Sequence, residues 1–145
     1  MIVKILGPGC GLPAAFEIRR IVFTDEQGFD PLIDTDSIDP AAHHIVIYDN
    51  NRPIATARTF PRGSGNDLYV IGRVAVLAGY RGKGIGRIIM REAENLAARL
   101  GAKSFTVGAQ IQAVSFYRKC GYTEYGGRYY EEHCEHISMA KKANR

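Results

Sequence analysis

A strand-like run, a glycine loop and an amphipathic helix follow one another without a break between residues 68 and 101, and this succession constrains the fold more than any other stretch. Leu68 to Leu77 is rich in Val, Ile and Tyr, and Gly72 inside it hints at a bulge or a close backbone approach. Ile85, Ile89, Ala93, Leu96 and Leu100 recur at spacings of four, four, three and four, which defines one apolar stripe of a long helix stopped by Gly101. Between the two lies Arg81-Gly82-Lys83-Gly84-Ile85-Gly86. A helix N-terminus presents unpaired N–H groups and a partial positive charge, and glycines let the backbone approach an anion with no side chain between. Arg81, Lys83 and Arg87 add cations at a density suited to a pyrophosphate. The junction of strand and helix is therefore an anion site.

Spacing narrows the anion. A P-loop needs Ser or Thr after its Lys, whereas Lys83 is followed by Gly84; a dinucleotide fingerprint needs Gly-x-Gly-x-x-Gly, whereas Gly82, Gly84 and Gly86 are spaced two and two. Both nucleotide readings fail. Elsewhere Ile2 to Leu6 reads as a strand and Leu12 to Phe23 as a helix. Thr24 to Pro40 reads as loop or short irregular helix. His44 to Tyr48 and Ile54 to Phe60 form a hairpin across Asp49-Asn50-Asn51-Arg52. Ser104 to Ala109 is a short buried strand and Gln112 to Cys120 a two-turn helix. Strands near Tyr122 to Gly126 and Glu135 to Ala140 close the chain. The order predicts an α/β protein, a mixed sheet with helices on its faces. The 145 residues fit a single domain, 1–145.

Charge is segregated along the chain. Residues 24 to 39 carry Asp25, Glu26, Asp30, Asp34, Asp36 and Asp39 with no Lys or Arg, while Arg52 to Arg91 holds eight basic residues against the single acid Asp67. One stretch could face a cation and the other an anion. Of the net charge of +4, three units sit at Lys141, Lys142 and Arg145, which read as a frayed terminus rather than a nucleic-acid arm. No apolar run approaches the roughly 20 residues of a spanning helix, and neither anchor nor signal peptide is expected. The three cysteines lack metal-type spacing, which fits free thiols in the cytoplasm. His133, Cys134 and His136 crowd together without a third and fourth ligand in view, and Asp34, Asp36 and Asp39 lack the glycine and terminal Glu of a calcium loop; no metal is expected, and the aspartates read as solvated.

Arg-Gly-Lys-Gly-Ile-Gly after Val74-Ala75-Val76 resembles the Arg/Gln-x-x-Gly-x-Gly/Ala motif of the GCN5-related N-acetyltransferases. Gln110-Ile111-Gln112-Ala113-Val114-Ser115-Phe116-Tyr117, continuing to Gly121-Tyr122, resembles the family's Asn-x-x-Ala-x-x-Phe-Tyr-x-x-x-Gly-Phe, with Gln110 in place of Asn. Arg20 to Gly28 and His136 to Met139 look like the ElaA/YjcF-like branch. The resemblance implies a mostly antiparallel sheet splayed between its fourth and fifth strands, the acyl-CoA N-acyltransferase fold. It also implies acetyl-CoA as co-substrate, with its pyrophosphate on Arg81 to Arg87, its pantetheine on Val74, Val76 and Gln110, and further cofactor contacts at Ala75, Phe116 and Tyr117.

Acyl transfer from a thioester to an amine needs a polarised carbonyl, a neutral amine and a protonated leaving thiolate. The resemblance assigns the first to a backbone N–H near Val74 or Ala75 at a bulge and the third to Tyr117. For the base, Glu26, Asp39, His43, His44 and His136 are all candidates, with Glu26 and His136 foremost. The expected activity is transfer of an acetyl group to a primary amine of a small molecule or peptide. The alternative is a module of the same fold that binds acyl-CoA without turnover. Partners are acetyl-CoA and the amine acceptor, with neither nucleic acid nor membrane; a homodimer stays open.

Overall fold

The computed structural model describes residues 1–10 and 12–144, without the side chains of Leu12 and Ile33. Strand β1 (Ile2–Leu6) leads to helix α1 (Leu12–Arg19), which widens into a π-helical segment over Arg20–Glu26. The expected single helix from Leu12 to Phe23 is therefore two kinds of helix; the change falls at Arg19, whose side chain turns into the interior. The acidic stretch then folds locally. Asp30 caps helix α2 (Pro31–Asp34) by accepting the Leu32 N–H at 2.9 Å, Pro31 supplies the preset first turn, and Asp39–Ala41 makes one 3-10 turn.

Strands β2 (His43–Asp49) and β3 (Arg52–Pro61) are joined by Asn50 and Asn51, with φ of 47° and 68°. Two consecutive left-handed residues make the two-residue hairpin turn that suits strand twist, and Asn tolerates that conformation better than most residues. Strand β4 (Leu68–Val76) precedes helix α3 (Ile85–Arg99), and β5 (Ser104–Gln110) precedes helix α4 (Val114–Lys119). The chain closes with β6 (Thr123–Glu131) and β7 (Cys134–Lys142). These last strands outrun their expected bounds because Gly126 and Gly127 do not stop β6; they form a bulge between the pairs Tyr125–Ser138 and Tyr129–His136. Lys141 and Lys142 lie in β7 rather than in a frayed tail, and the Lys141 ammonium donates to Glu94 at 3.0 Å and to the Cys120 carbonyl at 2.8 Å. Arg145 lies outside the described residues.

The seven strands form one sheet in the order β1-β2-β3-β4-β5-β7-β6, antiparallel at every junction but β4–β5. Ile54 to Thr59 of β3 are buried without interruption, so both faces of the sheet are covered there, and α1 and α3 both pack on this strand. On α3 the buried stripe is Ile85, Ile89, Met90, Ala93, Leu96 and Ala97; Leu100 falls past its end and is 37% exposed.

Two irregularities open the sheet. Thr56 pairs with Ala75 and Arg58 with Gly72, so Ala57 faces two residues, Arg73 and Val74. Arg73, not Gly72, carries the left-handed conformation, with φ of 51°. Beyond it β4 and β5 separate: they pair only from Leu68–Ser104 to Val70–Thr106, and the rest of each inner edge diverges.

Of the aspartates expected to be solvated, Asp34 and Asp39 are buried and Asp36 is partly so. Arg19, 1% exposed, donates to Asp34 at 3.1 Å and to Asp39 at 2.7 and 3.1 Å. Arg58 donates to Asp36 at 2.7 and 2.9 Å and to Asp39 at 2.9 Å, while Arg73 reaches Asp34 and Asp36 at 3.2 and 3.3 Å. His44 Nε2–H donates to the Asp39 carbonyl at 3.0 Å. The acidic stretch thus answers the basic one inside the protein. Burial would raise the Asp39 carboxyl, but hydrogen bonds and charge from Arg19 and Arg58 outweigh it and hold the group at about 2.

Its reference value is 3.8, so this stabilisation is complete above that pH and is lost as pH falls through about 2. The shift is worth about 2 kcal/mol. Asp39→Asn is expected to lower stability at pH 7 by about 3 kcal/mol or more, because two buried guanidinium groups lose their shared anion. Urea unfolding from pH 7 down to pH 2 checks both statements: the native protein loses stability more steeply than the variant on acidification.

Candidate active site

A cavity of about 940 Å³ runs through the splay, from the glycine loop before α3, between β4 and β5, to the β6–β7 hairpin. At its first end Arg81, Gly82, Gly84, Ile85, Gly86 and Arg87 line the wall. Gly82 and Gly84 have φ of 75° and 81°, and a Cβ built on either would meet nothing within 4 Å. Both therefore leave open space before left-handed backbone, the concave arrangement that binds phosphate oxygens. Gly86 serves a different purpose: a Cβ there would lie 3.0 Å from the Phe116 ring, so this glycine lets α4 pack against α3.

The cations divide between the cavity and its frame. Arg81 makes a two-pronged pair with Glu26 at 2.9 Å on both oxygens and donates Nε–H to the Val76 carbonyl at 2.9 Å. Arg87 donates to the Lys119 carbonyl at 3.1 Å. Lys83 stands outside the lining, its ammonium 5.7 Å from the centre of the Tyr80 ring.

Val74, Ala75 and Val76 line the middle of the cavity just past the bulge, where β4 has left β5. Facing them are Gln110, Phe116 and Tyr117. Gln110 is held at both ends of its amide, donating to Gln27 at 2.8 Å and accepting from Gln112 at 2.6 Å. Phe116 meets Tyr117 edge to face at 5.0 Å, and Tyr117 meets Tyr122 the same way at 6.0 Å. Burial, aided by Cys120, pushes the Tyr117 phenol well above its ordinary range. It stays protonated and is a hydrogen-bond donor; the mildly uphill proton transfer expected of an ordinary phenol becomes a steep one.

Among the base candidates only His136 lines the cavity. Its Nδ1–H donates to the Cys134 carbonyl at 3.0 Å, which in the neutral ring leaves Nε2 as the acceptor, 3.9 Å from Glu131. Glu26 is committed to Arg81 and lies outside the lining. Asp39 is spent on Arg19 and Arg58. His44 is buried, lowered in pKa by that burial and bound to a backbone carbonyl. His43 begins β2 opposite Thr59 and is also outside the lining. The crowding of His133 with His136 dissolves as well: His133 Nε2 is bonded to the Gln27 carbonyl at 2.7 Å and its ring lies 5.0 Å from Phe29. Among the described residues no cluster of His, Cys, Asp and Glu could hold a metal ion, and no helix is long and apolar enough to cross a membrane.

Several lining residues were not foreseen. Tyr129 stacks on His136 at 5.6 Å, and its hydroxyl fills the place where a Cβ at Gly108 would be. A glycine inside the short strand β5 and the Gly126-Gly127 pair in β6 were the available signals. Gln27 gave none, and Arg58 and Arg73 gave only the segregation of basic residues along Arg52 to Arg91, because their neighbours are remote in sequence.

The model of the Acetyltransferase (GNAT) family matches residues 12–122. The uncharacterised N-acetyltransferase YjcF of Bacillus subtilis is 38% identical over 111 residues, 77% of each chain. ElaA of Escherichia coli is 30% identical over 133 residues, 90% of this chain and 87% of that protein. The crystal structure of a putative N-acetyltransferase from Lactobacillus plantarum superposes with a TM-score of 0.87 at 28% identity, covering 99% of this chain and 100% of that one. With family, relatives and splayed sheet in agreement, the chain belongs to the GNAT family, in its ElaA/YjcF-like branch, and is an acyl-CoA N-acyltransferase.

Proposed function

We propose that the protein moves an acetyl group from acetyl-CoA directly to a primary amine of a small molecule or peptide. The observation that carries this reading is the continuity of the cavity: a phosphate cradle, an unpaired strand edge, a protonated phenol and an oriented imidazole follow one another along it. The thioester supplies an acyl group already activated for transfer. Backbone N–H groups of Gly82 to Arg87 and the α3 dipole hold the pyrophosphate. Val74 and Val76 offer peptide groups to the pantetheine amides, and an N–H beside the bulge at Arg73 polarises the acyl carbonyl. His136 Nε2 takes a proton from the acceptor nitrogen, directly or through water, as the C–N bond forms and the C–S bond breaks. The leaving sulfur departs against the Tyr117 O–H and takes its proton from solvent. Residues 1–145 act as one domain, and three free thiols fit the reducing cytoplasm.

Calorimetric titration tests the cofactor: acetyl-CoA and CoA are expected to bind, ATP and NAD far more weakly, and Gly84→Asp to weaken acetyl-CoA by about tenfold or more, since a carboxylate then stands in the cradle. Preference for ATP or NAD refutes the reading. Tyr117→Phe is expected to lower kcat by about 100-fold while acetyl-CoA affinity stays within about twofold. His136→Gln is likewise expected to lower kcat by about 100-fold without changing acetyl-CoA affinity, measured as thiol release over a panel of amines. Unaltered turnover in either variant removes that residue from the chemistry.

A further inference from the structure

The far end of the cavity is electrically polarised in a way that acyl transfer alone does not require. Of the interior ion network, Asp34, Arg58 and Arg73 reach the cavity wall, while Arg19, Asp36 and Asp39 lie behind it. Asp34 spends one oxygen on Arg19 and the other on Arg73, each at 3.1 to 3.2 Å. The guanidinium groups are less fully used. Arg58 is only 4% exposed, yet its Nε–H has no partner among the described residues. Arg73, 23% exposed at the side chain, engages Nε and Nη2 only through bonds of 3.2 and 3.3 Å. Arg62 also borders this region.

Across the splay the charges are reversed. Glu131 and Glu132 line the cavity beside His136, and Glu131 is 52% exposed at the side chain. Between the two walls the surface is apolar, with Phe23, Phe29, Ile38 and Phe60 on the lining and the first two rings in edge-to-face contact at 6.3 Å. A guanidinium wall favours a planar anion that takes two N–H groups at once, and the acidic wall favours an ammonium.

We propose that the acceptor is an amine bearing a carboxylate on an apolar body, its carboxylate on Arg73 and Arg58 and its nitrogen toward His136 and Glu131. This rests on the transferase reading above and names its substrate class. The bulge has a specificity role in addition to its backbone one: it aims the Arg73 side chain along the wall that faces His136. Because Arg58 and Arg73 are positioned by the interior aspartates rather than by the cofactor cradle, acceptor selection and cofactor binding are separable by mutation.

The test uses two matched pairs, L-phenylalanine with phenethylamine and 6-aminohexanoate with hexylamine, plus the phosphonate analogue of phenylalanine. Thiol release gives kcat/KM, and calorimetry gives amine binding to protein saturated with CoA. In at least one pair the carboxylate member is expected to be preferred by about tenfold or more. Arg73→Gln is expected to erase that preference, Arg73→Lys to keep part of it, and both to bind acetyl-CoA as the native protein does. Equal or better use of the decarboxylated amines by the native protein overturns the proposal whatever the variants do, as does a preference that survives Arg73→Gln. A tenfold preference for the phosphonate overturns the carboxylate and assigns the wall to phosphorylated amines. Carboxylate-dependent binding without turnover refutes the transferase reading and leaves the anion site standing. Binding that ignores the carboxylate, or no binding of any probe, overturns the anion site.

Discussion

The parting of β4 from β5 after three paired residues is the feature on which the site depends. A sheet interior satisfies its peptide groups by pairing neighbours, and an inner edge left unpaired must be served by water or a ligand. From Ile71 on β4 and Val107 on β5 this protein leaves such edges facing a cavity, while the outer edges of both strands stay paired with β3 and β7. The slot is therefore rigid on each side and open only where an extended, amide-bearing chain can lie. Its two walls are held apart by specific means. Arg73 bends β4 at the bulge, and Tyr129 presses its hydroxyl against Gly108 on β5.

The ion network secures the same opening from behind. Burying Arg19 and Arg58 with Asp34 and Asp39 costs desolvation that their attraction only partly returns, so an apolar interior of the same volume could be as stable. Such an interior could not present guanidinium groups to a cavity. The network ties α1, α2, β3 and β4 together through Arg19, Asp34, Arg58 and Arg73. A second tie, Arg81 with Glu26, joins the end of the π-helical segment to the glycine loop. Gln27, next in the chain, crosses to Gln110 on β5. The segment after α1 thus spans the slot and touches both of its walls.

How much of this could be read beforehand depended on whether the determining contacts were local. The loop Arg81 to Gly86, the stripe of α3 and the Asn50-Asn51 turn follow from neighbours a few residues apart, and each formed as its residues demanded. Where two roles share one residue type, local reasoning assigned too few: the three glycines of the loop look equivalent, yet Gly82 and Gly84 open the cradle and Gly86 admits Phe116. Gly126 and Gly127 look like a strand end and are a bulge, because only the partner strand β7 shows that pairing resumes beyond them.

Sequence by itself determined the order of elements, the glycine loop at the start of α3 and, through two motifs in series, the family. Tertiary structure alone decided the fates of the charged residues. Asp39 and Glu26, both read as candidate bases, became fixed partners of arginines separated from them by 20 and 55 positions, and His136 became the imidazole of the cavity because a bulge set it against Tyr129. The physical reason is one of range. Backbone propensities and apolar periodicity act within a turn or two of chain, whereas a charge is defined by whichever groups the fold brings within a few ångströms of it.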